Sequence, residues 1–415
     1  MKKRVVVTGA GAISALGDDP ATLHQALCLG NSAIGPITRF DRQNLPAARG
    51  AEIRDFDAKR YLGEVNLRPL DRTSQLAVCG AKRALESAGW TSEMREVAEM
   101  ELVLGTMFCS VRTNTQFDRS ALISGPKHIK PLDFANTVIN SATGQTAIWH
   151  RLRGANMTIS AGTTSGVHAL QYAARRVALG WSRAVLVGGV EELCFETWYA
   201  FAQSGHLAGA GRNGGSMPFS RGRTGFFPGE GSGYLVLEDS DAATARGATV
   251  LAEIAGYGSS YDPTRGANEN SAVAAGVRAI KTALETAAIA PEIIGCISAS
   301  GNGSAAGDRV EACALREIFG ARLALIPAFA LAAALGETFG ASGLLQTITL
   351  IESARRGQIT PTHGVEDYDE TLPIMALSSS PRNASFDHGL VMSNGFDGST
   401  VAVIIAVSAK AQSDG

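Results

Sequence analysis

Residues 157–180 run Met157-Thr158-Ile159-Ser160-Ala161, then Gly162-Thr163-Thr164-Ser165-Gly166, then Val167 through Leu179 to Gly180. Residues 157–161 read as a buried strand. Residues 162–166 form a glycine-bounded turn rich in hydroxyls. Residues 167–179 place apolar side chains at helical spacing, and Gly180 stops them. A strand joined to a helix by so short a turn is the repeating unit of layered α/β architecture.

The same rhythm extends in both directions. Residues 184–189 follow as a fully apolar strand. Upstream, residues 4–8 read as a strand entering a turn over Gly9-Ala10-Gly11-Ala12-Ile13-Ser14. Residues 74–88 read as a helix ending at Gly89, and Glu101–Gly105 as a strand. Residues 106–140 show no period and read as irregular. Residues 233–238 and 249–256 are two further strands. The plan then repeats: helix 272–288, strand 294–299, helix Ala305–Phe319, helix 342–355, strands 389–393 and 400–406. This divides the chain into an N-terminal half, 1–250, and a C-terminal half, 251–415. No low-complexity linker separates them, so they are expected to share one body.

Composition narrows the function classes. The chain has 415 residues, 45% hydrophobic and 18% charged, with a net charge of −2. That is an ordinary globular mix, with no basic excess to attract nucleic acid or an anionic membrane surface. Lys127, His128 and Lys130 read as a solvated loop. No apolar run reaches the roughly 18 residues of a membrane span, and the N-terminus is too short in apolar residues for a signal peptide. Cys28, Cys79, Cys109, Cys194, Cys296 and Cys313 stand singly, with no metal-ligand spacing, so no metal or cofactor is expected and the cytoplasm is the expected setting. Cys109 and His168 read as packing residues. Gly9-Ala10-Gly11 imitates a dinucleotide fingerprint, but Ser14 stands in the place of its third glycine and no strand-ending acid follows at the required distance.

Seven segments, in order, resemble the β-ketoacyl synthase family of the thiolase superfamily. They are Val5-Val6-Val7-Thr8-Gly9-Ala10-Gly11; Thr164-Ser165-Gly166-Val167-His168; Val187-Gly188-Gly189-Val190-Glu191; Pro218-Phe219-Ser220 with Gly225-Phe226 and Gly229-Glu230-Gly231-Ser232-Gly233; Gly336-Glu337 with Gly340-Ala341-Ser342-Gly343; Gly357-Gln358-Ile359-Thr360-Pro361-Thr362; and the glycine-rich loop Ser393 to Gly398, with Gly395, Phe396, Asp397 and Gly398 at its tip. The resemblance implies a thiolase-like α/β fold, two related halves in a layered αβαβα sandwich.

The family's reaction is a decarboxylative Claisen condensation. A helix-N-terminal Cys takes the acyl chain from an acyl carrier protein, two His stabilise the malonyl enolate, and a Lys organises the second His. Carried over by position, the Cys slot falls on Thr163, the first His slot on Ser300, the Lys slot on Ala332 and the second His slot on Glu337. A Thr hydroxyl is scarcely ionised at neutral pH. Ser300 carries no positive charge, and an ionised Glu337 repels an enolate. The resemblance therefore implies a subunit that is catalytically silent, like the chain-length factors of type II polyketide and related polyene pathways. It implies a heterodimer with an active ketosynthase, and contact with an acyl carrier protein through that complex. Known members often carry Gln in the Cys slot, and Thr163 departs from that.

By resemblance, residues 107–122 lie near the dimer interface. Thr113, Phe117 and Ser120 fall at near-helical spacing there and are candidates for the wall of an acyl tunnel. Residues 157–161 are the candidate strand for pairing across the dimer. A second reading stays open: an acyltransferase or thioester hydrolase in which Glu337 serves Thr163 as general base.

Overall fold

A computed structural model describes residues 3–41, 48–209 and 217–407. Its central feature is a ten-stranded sheet. Across it the strands run Ala328–Phe329, Cys296–Ser298, His388–Asn394, Ser399–Ala406, Ala252–Tyr261, Val5–Ser14, Gly231–Asp239, Ala184–Glu191, Glu101–Gly105 and Asn156–Ile159. The two halves meet where Val6 pairs with Glu253 and Val7 with Ala252. On either side of that seam, counted in chain order within the half, the strands lie third, second, fourth, fifth, first. The repeat seen as a rhythm in the sequence is thus a repeat of topology.

Helices Ser165–Ala178 and Ser342–Arg356 touch each other and strands of both halves, forming a middle layer. Ser165–Ala178 keeps an exposed edge at Tyr172 and Arg175, whereas Ser342–Arg356 is buried by its surroundings rather than by one face alone. Ser342–Arg356 is enclosed from Gly343 through Ser353, including the polar Gln346, Thr347 and Thr349. Outside the first half, helix Arg72–Ser87 packs on Val5–Ser14; outside the second, Glu269–Ala287 packs on Ala252–Tyr261. The result is the five-layered thiolase-like sandwich, with its apolar core in the middle layer around Val167, Leu170, Leu344 and Ile348.

Two expectations fail here. Gly9 to Ser14 is not a turn but the continuation of a fully buried strand, Val5–Ser14. Its glycines answer to packing: a Cβ on Gly9 would lie 2.5 Å from the Ala84 carbonyl oxygen, and one on Gly11 2.5 Å from that of Gly80. They let helix Arg72–Ser87 sit directly on the strand. Second, residues 106–140 are not irregular. They hold helix Val111–Ser124, a short 3-10 turn at Pro126–His128 and helix Pro131–Phe134. Helix Val111–Ser124 has no buried residue, so its sequence carries no core-facing stripe to betray it. Among the other elements read from the sequence only boundaries shift, while helices Pro20–Cys28, Ser141–His150 and Phe195–Gln203 are not read from it. The strand expected over 249–256 runs Ala252–Tyr261, drawn on to Tyr261 by its pairing with Ser399.

Candidate functional site

The turn at Gly162–Thr164 is built by local bonds. Gly162 takes φ +60°, the left-handed region that glycine enters without strain. The Ser165 hydroxyl donates to the Gly162 carbonyl at 2.5 Å and accepts from the Ala161 N–H at 2.8 Å. Helix Ser165–Ala178 starts there and runs directly beneath the Gly340 turn. A Cβ on Gly166 would lie 2.3 Å from the Gly340 carbonyl oxygen, and one on Gly189 2.2 Å from it. These contacts bring two segments more than 170 residues apart in sequence to one point (166 and 340).

At that point the structure gathers Thr163, Ser300, Ala332 and Glu337 around one cavity, with Thr338, Ser342, Gln346, Ser393 and Asn394 completing its polar lining. The cavity is small, about 20 Å³, room for a single water. Its lining contains no Cys, His or Lys. The Thr163 hydroxyl donates to the Asn394 carbonyl at 3.2 Å. Glu337 Oε1 accepts from the Phe339 N–H at 2.8 Å and the Ser342 hydroxyl at 2.6 Å. Its backbone is clamped as well, its N–H donating to the Phe227 carbonyl and its own carbonyl accepting from Gly229, each at 2.7 Å. Burial raises the Glu337 carboxyl to about 7, against the pull of those two donors. Burial thus favours the neutral form of this carboxyl. The hydrogen of Thr163 goes to Asn394 rather than to Glu337, which is not the geometry of a nucleophile and its base.

Ser300 is fixed from below. Its N–H and that of Gly301 donate to the two oxygens of Glu311 at 2.8 and 3.0 Å. One helical turn earlier, Asp308 accepts from the N–H groups of Phe219 and Gly303. Both acids are fully enclosed, and burial raises Glu311 to about 7 and Asp308 to about 6. Their 308/311 spacing puts two charges on the inner face of helix Ala305–Phe319, beside Ala312 and Leu315. That was the available sequence signal for them. Gln346 had a similar one: a lone amide in the apolar run Leu344 to Ile351, donating to the carbonyls of Ala299 at 2.7 Å and Met392 at 3.2 Å.

The glycine-rich loop closes one side. Gly395, Phe396 and Gly398 face a second, outer pocket of about 270 Å³. Asp397 instead turns back to cap its own loop, accepting from the Ser399 N–H and hydroxyl at 3.1 and 2.6 Å. Phe396 stacks on Phe226 at 5.1 Å and meets His206 edge-on at 5.2 Å. Phe201 and Phe339 stack at 5.0 Å and 10° in the same cluster. These rings fill the space beside the cavity with aromatic packing.

The tunnel candidates lie apart from both cavities. Thr113, Phe117 and Ser120 do share the half-buried face of helix Val111–Ser124. Thr113 donates to Asp71 at 3.0 Å, and Phe117 packs on Phe134 at 6.0 Å. Cys109 is buried beside Ser110 and Ser141, with its thiol pushed up by burial. His168 Nδ1 lies 3.2 Å from the Thr164 carbonyl oxygen, and burial holds its pKa low. Among the described residues no group of three acidic, His or Cys side chains is placed to hold a metal, and no helix is long and apolar enough to cross a membrane.

Residues 2–243 match the β-ketoacyl synthase N-terminal domain and residues 251–366 the β-ketoacyl synthase C-terminal domain. The chain belongs to the β-ketoacyl synthase family. It is 30% identical over 408 residues to 3-oxoacyl-[acyl-carrier-protein] synthase 2 of Coxiella burnetii, covering 98% of this chain and 99% of that one. It is 32% identical over 410 residues to the tetracenomycin polyketide synthase ketoacyl synthase beta subunit of Streptomyces glaucescens, covering 97% and 98%. Among solved structures, the ishigamide ketosynthase/chain length factor superposes with a TM-score of 0.89 at 26% identity, over 98% of this chain and 100% of that one. Within this ketosynthase family the relatives thus include both 3-oxoacyl synthases and a beta subunit.

Proposed function

We propose that this chain is a non-catalytic chain-length-factor subunit that pairs with an active β-ketoacyl synthase and shapes its acyl tunnel, in the cytoplasm. The observation that carries the reading is the cavity itself. At the four positions where the family does its chemistry stand Thr163, Ser300, Ala332 and Glu337, and the Thr163 hydroxyl and one oxygen of the Glu337 carboxyl are engaged in internal hydrogen bonds. Nothing there is a thiolate, an imidazole or an ammonium. Removing such a nucleophile abolishes covalent catalysis, and each lost oxyanion donor costs about 3 kcal/mol of transition-state stabilisation.

The outer surface supports the pairing. Among the described residues, strand Asn156–Ile159 ends the sheet, paired on one side with Glu101–Gly105. An open strand edge is a template for another chain. Nearby in sequence, Leu122, Ile123, Leu132, Phe134, Val138 and Ile139 are exposed, Leu122 by 85% and Ile123 by 71%. Exposed apolar residues in this number mark an interaction surface. The beta-subunit and chain-length-factor relatives point to an active ketosynthase as the occupant, with acyl carrier protein meeting the pair.

The test is co-expression with an ordinary Cys/His/His synthase from the same genome, followed by native mass spectrometry. A one-to-one complex supports the reading. A stable homodimer that ignores the synthase, or condensation by this chain alone, overturns it.

A further inference from the structure

The inner cavity and the outer pocket share two lining residues, Ser300 and Asn394. Those residues are bonded to each other: the Asn394 N–H donates to the Ser300 hydroxyl oxygen at 3.2 Å. The Asn394 carbonyl in turn accepts from Thr163, and its side-chain Oδ1 accepts from the Thr400 hydroxyl at 3.1 Å. From the other side, Glu311 holds the Ser300 N–H. The Asn394 side-chain nitrogen is enclosed without a hydrogen-bond partner, so the amide is held by the Thr400 bond to its oxygen and by packing.

We infer that Ser300 and Asn394 form a partition that shuts residue 163 off from the outer pocket. The silence of the site then has two layers: a nucleophile that cannot react, and a wall that keeps an incoming electrophile from it. Restoring a thiol at 163 is insufficient by itself, because an acyl group arriving from the outer pocket of about 270 Å³ meets Ser300 and Asn394 before it meets the sulfur. Such a seal deepens the silent-subunit reading. It is measured on the isolated chain, so a failed result leaves the pairing experiment standing.

The experiment is alkylation with iodoacetamide, in which the thiolate displaces iodide, an S–C bond forms, and the thiol proton passes to buffer. Thr163→Cys is compared with Thr163→Cys/Ser300→Gly/Asn394→Ala, wild type serving as the background for the six native cysteines. The Glu311 bonds run to backbone N–H groups and survive Ser300→Gly. A thiol at a helix N-terminus is held toward the reactive thiolate, so slow labelling reports restricted access. Peptide mapping reads residue 163. Labelling at least tenfold faster in the triple variant is the expected result. Equal rates in the two variants, fast or slow, overturn the partition. Labelling of the fully buried Cys296 reports loss of fold. If the triple variant shows it, Thr163→Cys/Ser300→Gly carries the same comparison with the same two outcomes.

Discussion

Ser342 donates its hydroxyl to the Glu337 carboxyl at 2.6 Å, across the 3-10 turn Phe339–Ala341 that leads into the helix Ser342 begins. A buried acid with a hydroxyl and an amide donor is held partly ionised against the cost of its burial. Burial wins, and the carboxyl rises to about 7 from an ordinary 4.5.

The sign of the pH effect follows. A raised carboxyl stabilises the fold in its protonated form. That stabilisation is complete below the unfolded value of 4.5 and is lost as pH rises through about 7. Glu191 and Glu311, also raised to about 7 by burial, act in the same direction. Urea unfolding should therefore show stability falling between pH 5 and 8. In Glu337→Gln the fall should be shallower by on the order of 2–3 kcal/mol, since a shift of one unit is worth about 1.4 kcal/mol. A parallel pair of pH curves would show that Glu337 does not titrate in this window.

Incubation with acyl- and malonyl-carrier protein should leave this chain unacylated by intact mass, with no condensed product. Thr163→Ala should give the same result. Turnover at the level of an ordinary synthase, lost on Thr163→Ala, would instead favour the reading in which Thr163 acts with Glu337.

Leu122 is 85% exposed on helix Val111–Ser124 and contributes nothing to the internal core. Leu122→Lys keeps helix propensity and should leave the unfolding free energy within about 0.5 kcal/mol. It should weaken the complex with the synthase at least tenfold, about 1.4 kcal/mol, in a titration followed by native mass. Unchanged affinity would move the interface off this helix.

Phe117 stands on the same helix against Phe134. If its face borders the partner's tunnel, Phe117→Ala should lengthen the product of the reconstituted pair, and Thr113→Phe should shorten it. An added unit that must displace a packed ring faces about 1–3 kcal/mol of overpacking. Product mass reads both variants, and wild-type length in both places the wall elsewhere.

Gly166→Ala would drive a methyl to 2.3 Å from the Gly340 carbonyl oxygen. Backbone lies on both sides of this contact, so relief requires a shift of the middle layer. A loss of about 1–3 kcal/mol in urea unfolding is expected. A neutral result would mean that the helix and the Gly340 turn slide apart easily.

The sequence alone determined the alternation of strands and helices, the division into two related halves, and the identity of Thr163, Ser300, Ala332 and Glu337. Those are local matters: apolar period, glycine punctuation and motif order are all written in neighbouring residues. Tertiary structure decided the rest. Gly9 and Gly11 read as a turn until helix Arg72–Ser87 is seen lying on them, because a close approach between distant backbones leaves no local mark. Helix Val111–Ser124 was hidden because its surroundings within the chain bury none of its residues fully, which leaves only the half-buried face of Thr113, Phe117 and Ser120 as a weak period. The hydrogen bonds joining Thr163, Asn394 and Ser300 belong to three separate segments. Each residue type was legible, but their meeting depends on where the turn after Asn156–Ile159, the loop after Cys296–Ser298 and the end of His388–Asn394 arrive once both halves of the sheet have folded.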